Sequence, residues 1–295
     1  MASLGQWIDG ARPRTLPLTV SPVVVGSAIA LVQASFHPAR ALLALIVGVS
    51  IQIGVNYAND YSDGVRGTDA HRVGPARLVG SGAASPRAVK TAAFASFGVA
   101  GLAGVILTAL SQQWWLLAVG AAAVVAAWFY TGGKHPYGYI GLGEVFVFIF
   151  FGPVATVGTS FTQTGRIDTA ALVAGAAQGF GACAVLMANN VRDIPTDAAV
   201  GKRTLAVRLG DRGARAVFVA FCGLAVVGAV VVPALTTWWG LLGLAMLPWM
   251  GAAVSFVGRG GTGMGLIRSL KQVGQAQLVG ALGLLVGCVI AVLTP

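Results

Sequence analysis

Nine apolar runs divide the chain, at roughly 15–34, 39–58, 89–110, 114–131, 139–160, 169–188, 214–233, 237–257 and 276–294. Each approaches the length of about 20 residues that a helix needs to cross the hydrocarbon core of a bilayer. Polar positions gather in short intervals between the runs, and no linker or shift in composition separates one part of the chain from another. The pattern predicts a single all-α domain over 1–295, a polytopic bundle of about nine transmembrane helices. The first run follows a short polar segment holding Arg12 and Arg14. It shows no small-residue cleavage site, which predicts a retained helix rather than a removed signal peptide.

Composition supports this class. Apolar residues make up 56% of the chain, charged residues 9%, and the mean hydropathy is +0.81, values foreign to a soluble domain. Charge then orients the bundle. If the nine segments alternate, 17 of the 19 Lys and Arg fall on the side that receives the N-terminus and the intervals near 59–88, 132–138, 189–213 and 258–275, counting those within a residue or two of a segment end. Only Arg40 and Arg166 fall on the other. Basic loops stay on the cytoplasmic side, so the N-terminus is expected to be cytoplasmic and the C-terminus outside. The net charge of +10 is explained by these loops and calls for no nucleic-acid partner.

Two residue types add little chemistry. Cys183, Cys222 and Cys288 lie inside predicted helices without CxxC spacing and read as small packing residues. Gly175/Gly179 and Gly283/Gly287 have GxxxG spacing and predict close helix contacts.

The acidic residues are more informative. Of nine carboxylate side chains, Asp60, Asp63, Asp69, Asp193 and Asp197 lie in or just after two segments, Asn56–Asp63 and Asn190–Asp197, each at a helix end on the basic side. Asp60 and Asp63 are three apart, Asp193 and Asp197 four apart, so on a helix each pair shares a face and repels itself unless a cation bridges it. Magnesium suits such a site, because it accepts a few carboxylates and completes its shell with water and phosphate oxygens. Pro195 predicts that Asp193 caps a new helix with Asp197 one turn inside it. Arg66, Arg72 and Arg77 follow the first cluster, and Arg192, Lys202, Arg203 and Arg208 surround the second. Arg offers a planar fork to phosphate and Lys a point charge. Metal and cations at the mouth of an apolar bundle describe a site for a lipid diphosphate.

These residues resemble a known family. Asn59-Asp60-Tyr61-Ser62-Asp63 with Gly67-Thr68-Asp69 resembles the first aspartate-rich motif of the UbiA superfamily of intramembrane prenyltransferases. Asn190, Arg192, Asp193 and Asp197, followed by Gly201-Lys202-Arg203-Thr204 through Gly210, is similar to the second. The stretches Ala11–Pro17, Tyr130–Gly133 and Pro136–Glu144 resemble the branch that acts on 1,4-dihydroxy-2-naphthoate in menaquinone synthesis. A hydroxybenzoate-branch enzyme carries an aspartate where this chain has Gly67; the third aspartate here is Asp69, as in the naphthoate branch.

The resemblance implies a catalytic set and a substrate. Mg2+ on Asp60, Asp63, Asp193, Asp197 and Asp69 would hold the diphosphate of a polyprenyl donor, helped by Asn56 or Asn59, and Asn190 would contact substrate. Arg66, Arg72, Arg77, Arg192 and Lys202 would take the remaining oxygens. Tyr57, Tyr61, Tyr130 and Tyr139 are candidates to face the allylic cation. Arg12 would bind the carboxylate of the aromatic acceptor. Glu144, the only acid inside an apolar run, would act as base or orient that acceptor. The expected product is demethylmenaquinol, formed with release of diphosphate and CO2 in a cell-membrane enzyme whose prenyl groove touches lipid. Transfer to another acceptor such as 4-hydroxybenzoate is the nearest alternative. An ion-coupled transporter is a more distant one, disfavoured because the carboxylates cluster at one membrane face rather than the midplane.

Overall fold

A computed structural model of the chain describes residues 2–67 and 77–294. Among them there is no β-strand. The helices are α1 (Leu4–Ala11), α2 (Pro17–Val32), α3 (Pro38–Arg66), α4 (Pro86–Ser111), α5 (Leu116–Phe129), α6 (Gly143–Thr164), α7 (Thr169–Ala199), α8 (Leu205–Leu235), α9 (Trp238–Gly258) and α10 (Met264–Leu293).

Every predicted apolar run coincides with one of α2–α10. Seven of these helices are long and apolar enough to cross a membrane, and α1 with α2, bent by 49°, forms an eighth candidate. The 14 residues of α5 reach about 21 Å at 1.5 Å per residue, short of the roughly 30 Å hydrocarbon core. Large apolar side chains such as Leu102 (67%), Val227 (57%) and Trp238 (70%) remain exposed around the bundle, a surface that only lipid covers without penalty. The chain is a multi-pass membrane protein.

The boundaries depart from the apolar runs where chemistry is concentrated. α3 continues two turns past its run, through the whole first acidic segment, and ends at Gly67. α7 likewise runs unbroken through Pro195 to Ala199. Asp193 therefore does not cap a new helix: it and Asp197 share one face of the last turns of α7. Pro195 removes one backbone bond, and the packing of this long helix against α8 outweighs that local cost. The polar segment before the first run is also helical. Ser3 and Gln6 form a capping box at the start of α1, whose Leu4, Trp7, Ile8 and Ala11 follow the 3.6-residue period.

Among the seven helices long enough to span by themselves, α7 is the most enclosed, with 67% of its apolar window buried against 28–33% for the other six. Its neighbours approach closely through glycine. A Cβ on Gly179 would lie 2.8 Å from the Phe148 carbonyl oxygen, and one on Gly287 2.3 Å from that of Trp239, so both GxxxG pairs sit at tight helix contacts. Opposite α7, α6 widens into a π-turn at Phe150–Val154 around Pro153, and Phe150, Phe151 and Val154 line the central cavity there. Such turns re-aim side chains in mid-helix.

Candidate active site

The extended ends of α3 and α7 bring the two acidic segments together at the mouth of a cavity of about 860 Å³. That volume lies toward the upper end of the roughly 300–1,000 Å³ found for ligand pockets. Asp63 is the centre of the polar end. Its Oδ1 accepts a hydrogen bond from the Tyr139 hydroxyl at 2.6 Å and lies 3.6 Å from Lys202 Nζ. Its Oδ2 lies 3.2 Å from Arg77 Nη2. Lys202 Nζ is also 3.9 Å from Asp197 Oδ1 and 4.4 Å from the centre of the Tyr139 ring. Two carboxylates from motifs 134 residues apart thus converge on a single ammonium group.

Local sequence explains why these groups meet. Tyr139 lies in the 3-10 turn Tyr137–Ile140 before α6, and its carbonyl accepts the Arg203 N–H at 2.8 Å. Arg208 then donates to the carbonyls of Arg203 and Ile140, both at 3.1 Å. The basic run after the second motif therefore ties two connecting segments together and holds Lys202 over the tyrosine. Tyr137 donates to the Ala126 carbonyl at 2.8 Å, and burial pushes its phenol above the ordinary range, so it serves as a neutral wedge.

The remaining aspartates are engaged differently. Asp60 is almost wholly buried and accepts the backbone N–H groups of Leu78 and Val79 at 2.8 and 2.9 Å, one on each oxygen. Asp193 receives Nε and Nη2 of Arg192 at 2.6 and 2.5 Å. Both residues line the cavity, but their oxygens are committed to protein donors in this arrangement. Asp69 and Arg72 lie outside the described residues.

Among the substrate-contact candidates, Asn56, Asn59, Arg12, Arg77, Tyr139, Asn190, Arg192 and Lys202 all line the cavity. Asn56 donates to the Ala11 carbonyl at 2.9 Å and Asn59 accepts the Thr131 hydroxyl at 2.7 Å. Arg66 and Glu144 depart from expectation. Arg66 donates to the carbonyls of Thr131 and Gly133 and is outside the cavity lining, because those loop carbonyls have no helix partner of their own. Glu144 is buried and accepts the Asn190 amide at 2.9 Å, so it positions Asn190 instead of facing the cavity. Of the four tyrosines, only Tyr130 and Tyr139 line the cavity. Tyr57 bonds the Trp7 carbonyl of α1 and Tyr61 stacks on Trp128 of α5.

Sequence reading passed over Asn189, which lines the cavity beside Asn190, whose amide bonds Glu144. The signal was present: Asn189, Asp193 and Asp197 follow each other at four-residue intervals and so share one helix face.

Residues 19–260 match the UbiA prenyltransferase family. The chain belongs to that family. It is 52% identical over 286 residues to the 1,4-dihydroxy-2-naphthoate octaprenyltransferase of Mycobacterium tuberculosis, covering 96% of each chain. With the Escherichia coli protein of the same name it shares 40% over 215 residues, 71% of this chain and 70% of that one. Among solved structures, a UbiA homolog from Archaeoglobus fulgidus bound to DMAPP and Mg2+ matches with a TM-score of 0.64 at 14% identity, covering 95% of this chain and 99% of that one. An apo UbiA homolog from Aeropyrum pernix gives 0.66 at 16%, covering 94% and 98%. At such identities the likeness is one of fold.

The donor set of this UbiA-family site can be tested against a divalent cation. Among the described residues, no three His, Cys, Asp or Glu side chains form a ready-made metal cage. Magnesium seldom uses one: it takes one or two carboxylates and fills its shell with water and phosphate oxygens. Asp63 and Asp197, facing each other across the Lys202 ammonium, fit that demand.

Proposed function

We propose that the chain transfers a polyprenyl group from polyprenyl diphosphate to 1,4-dihydroxy-2-naphthoate, releasing diphosphate and CO2 and giving demethylmenaquinol in menaquinone biosynthesis. One observation carries the reading: Asp63 and Asp197 meet at Lys202 over the polar end of a mostly apolar cavity. The relatives named for this acceptor support the choice of substrate.

Asp63 and Asp197, with Asp60 and Asp193 as nearby carboxylates in the cavity lining, would hold Mg2+. When bound it would supply positive charge to the diphosphate as that group departs. Lys202, Arg77 and Arg192 would bind diphosphate oxygens, Arg by its planar fork and Lys as a point charge. Tyr139 holds Asp63 and faces Lys202, fixing the spacing between carboxylate and cation before substrate arrives. The C–O bond breaks with its electron pair leaving on diphosphate. The apolar walls from α3, α4, α5 and α6 exclude water that would quench the allylic cation, and the Tyr130 and Tyr139 rings face it. The electron-rich ring supplies the pair for the new C–C bond, and the carboxylate leaves as CO2, returning its pair to the ring. Arg12 at the mouth would hold the acceptor carboxylate until then. Glu144 acts through Asn190.

The purified protein, given Mg2+ and one polyprenyl diphosphate, is expected to release diphosphate in step with prenylated quinol from 1,4-dihydroxy-2-naphthoate, and far more slowly with 4-hydroxybenzoate. The naphthoate buries a second ring, at roughly 25 cal/mol per Å² of apolar surface, and its two hydroxyls make it the stronger carbon nucleophile. Equal or better use of 4-hydroxybenzoate would overturn the acceptor assignment. No diphosphate release with either acid would favour transport.

The same proposal places nine spans in a cell membrane, α5 as the shortest, with the acidic motifs facing the cytoplasm. The 17-to-2 division of basic residues supports it. Reporter fusions after Gly258 are expected to read as cytoplasmic and after Leu293 as external; the same side for both would remove one span from the count.

A further inference from the structure

A second polar patch lies deeper in the cavity than the aspartates. Gln52 stands one turn before Asn56 on α3, and Thr19 stands one turn after Thr15, where α2 faces it. Both line the cavity and both are more than nine-tenths buried, Gln52 at 5% and Thr19 at 4% exposure. Thr19 lies against the same stretch of α3, since a Cβ on Gly48 would meet its methyl carbon at 2.6 Å.

The hydrogen bonds fix what each side chain has left to offer. The Thr15 hydroxyl donates to the Arg12 carbonyl at 2.9 Å, so it can only accept from Gln52, whose Nε2 lies 2.9 Å away. The Gln52 amide is thereby oriented with its nitrogen toward Thr15. Gln52 Oε1 and Thr19 Oγ1 then find no partner among the described residues. A terminal sp3–sp2 torsion is broad, so a small rotation presents Oε1 to a group in the cavity. A buried amide oxygen and a buried hydroxyl without partners are costly against an apolar chain, but one substrate hydroxyl satisfies both, donating to Gln52 Oε1 and accepting from the Thr19 hydroxyl. They suit the aromatic substrate, not the prenyl tail.

We infer that Gln52 Oε1 and Thr19 Oγ1 bind the 4-hydroxyl of the acceptor, a proposal that rests on the naphthoate reading above. The 1-hydroxyl of that acceptor is adjacent to the carboxylate and bonds to it internally, which leaves the 4-hydroxyl as the donor in need of a partner. The two substrate ends match the protein's own chain of contacts. Arg12, through its carbonyl, joins Thr15, and Thr15 joins Gln52; the acceptor's carboxylate would sit at the first and its 4-hydroxyl at the last. Gln52 and Thr19 are positioning residues for the ring, not groups that touch the breaking bond.

The test compares 1,4-dihydroxy-2-naphthoate with 1-hydroxy-2-naphthoate, which lacks only the 4-hydroxyl, the second used as a competitive inhibitor of the first at fixed donor and Mg2+. Gln52→Leu and the isosteric Thr19→Val are each expected to raise the KM for the dihydroxy acid about 10-fold or more, because a site built to bond a hydroxyl discriminates strongly through it. The Ki of the monohydroxy acid should stay within about 2-fold of wild type, since it never used the contact. A general packing defect would raise both constants together and overturns the inference, as does an unchanged KM in both variants. If Gln52→Leu does not fold, Thr19→Val decides alone. An active wild type with indifferent variants sinks this proposal only; a wild type that makes no prenylated naphthoate sinks the functional reading and this one with it.

Discussion

Asp63→Asn and Asp197→Asn are each expected to lower kcat/KM by about 10²–10³-fold, the usual consequence of removing one preorganised charge from a site where charge develops. Asn keeps the shape and an oxygen that can still accept the Tyr139 hydroxyl, but it removes the negative charge opposite Lys202 and Arg77. The two positions should respond alike because they converge on the same ammonium. The substitution preserves the shape of both side chains, so the thermal midpoint in detergent should fall by no more than about 4 °C, the shift for about 1 kcal/mol in a chain of this size. Turnover close to wild type in both variants would reject the convergent-carboxylate site.

Asp60→Asn is expected to fail for a different reason. Both Asp60 oxygens accept backbone N–H groups, from Leu78 and Val79. An amide offers one oxygen and turns a donor toward the other N–H. Loss of a hydrogen bond to a charged group costs about 1.5–3 kcal/mol, so the midpoint should drop by roughly 3–12 °C, together with most of the activity. Activity would fall because the segment that Asp60 pins carries Arg77, one of the partners of Asp63. That segment packs tightly: a Cβ on Gly64, one turn beyond Asp60, would stand 2.5 Å from a Val79 methyl carbon. The diagnostic is the pair of measurements. If Asp60→Asn matches Asp63→Asn in midpoint as well as in rate, Asp60 is not a structural anchor and acts on the reaction directly.

The sequence by itself determined the class, the approximate spans and the residue types of the site. Apolar runs of bilayer length admit only helices that satisfy their own backbone, and nine carboxylates in so apolar a chain are few enough that two clusters stand out. The division of labour within those clusters was not legible. Asp60, Asp63, Asp193 and Asp197 look equivalent in the motif, yet Asp60 holds two backbone amides, Asp193 holds Arg192, and only Asp63 and Asp197 meet across Lys202. Apart from the adjacent Arg192–Asp193 pair and the nearby Lys202–Asp197 pair, such choices depend on which donor a carboxylate meets through space, across separations of 14 to 139 residues, and local spacing carries no record of that. The same holds for Pro195, where the local rule ended a helix that packing along α7 and α8 continues. It holds also for Asn189 and Asn190, adjacent in the chain but set about 100° apart around a helix of 3.6 residues per turn, so that both line the cavity but only the second bonds Glu144. Periodicity fixes which residues share a face; only the tertiary arrangement of the helices fixes what that face meets.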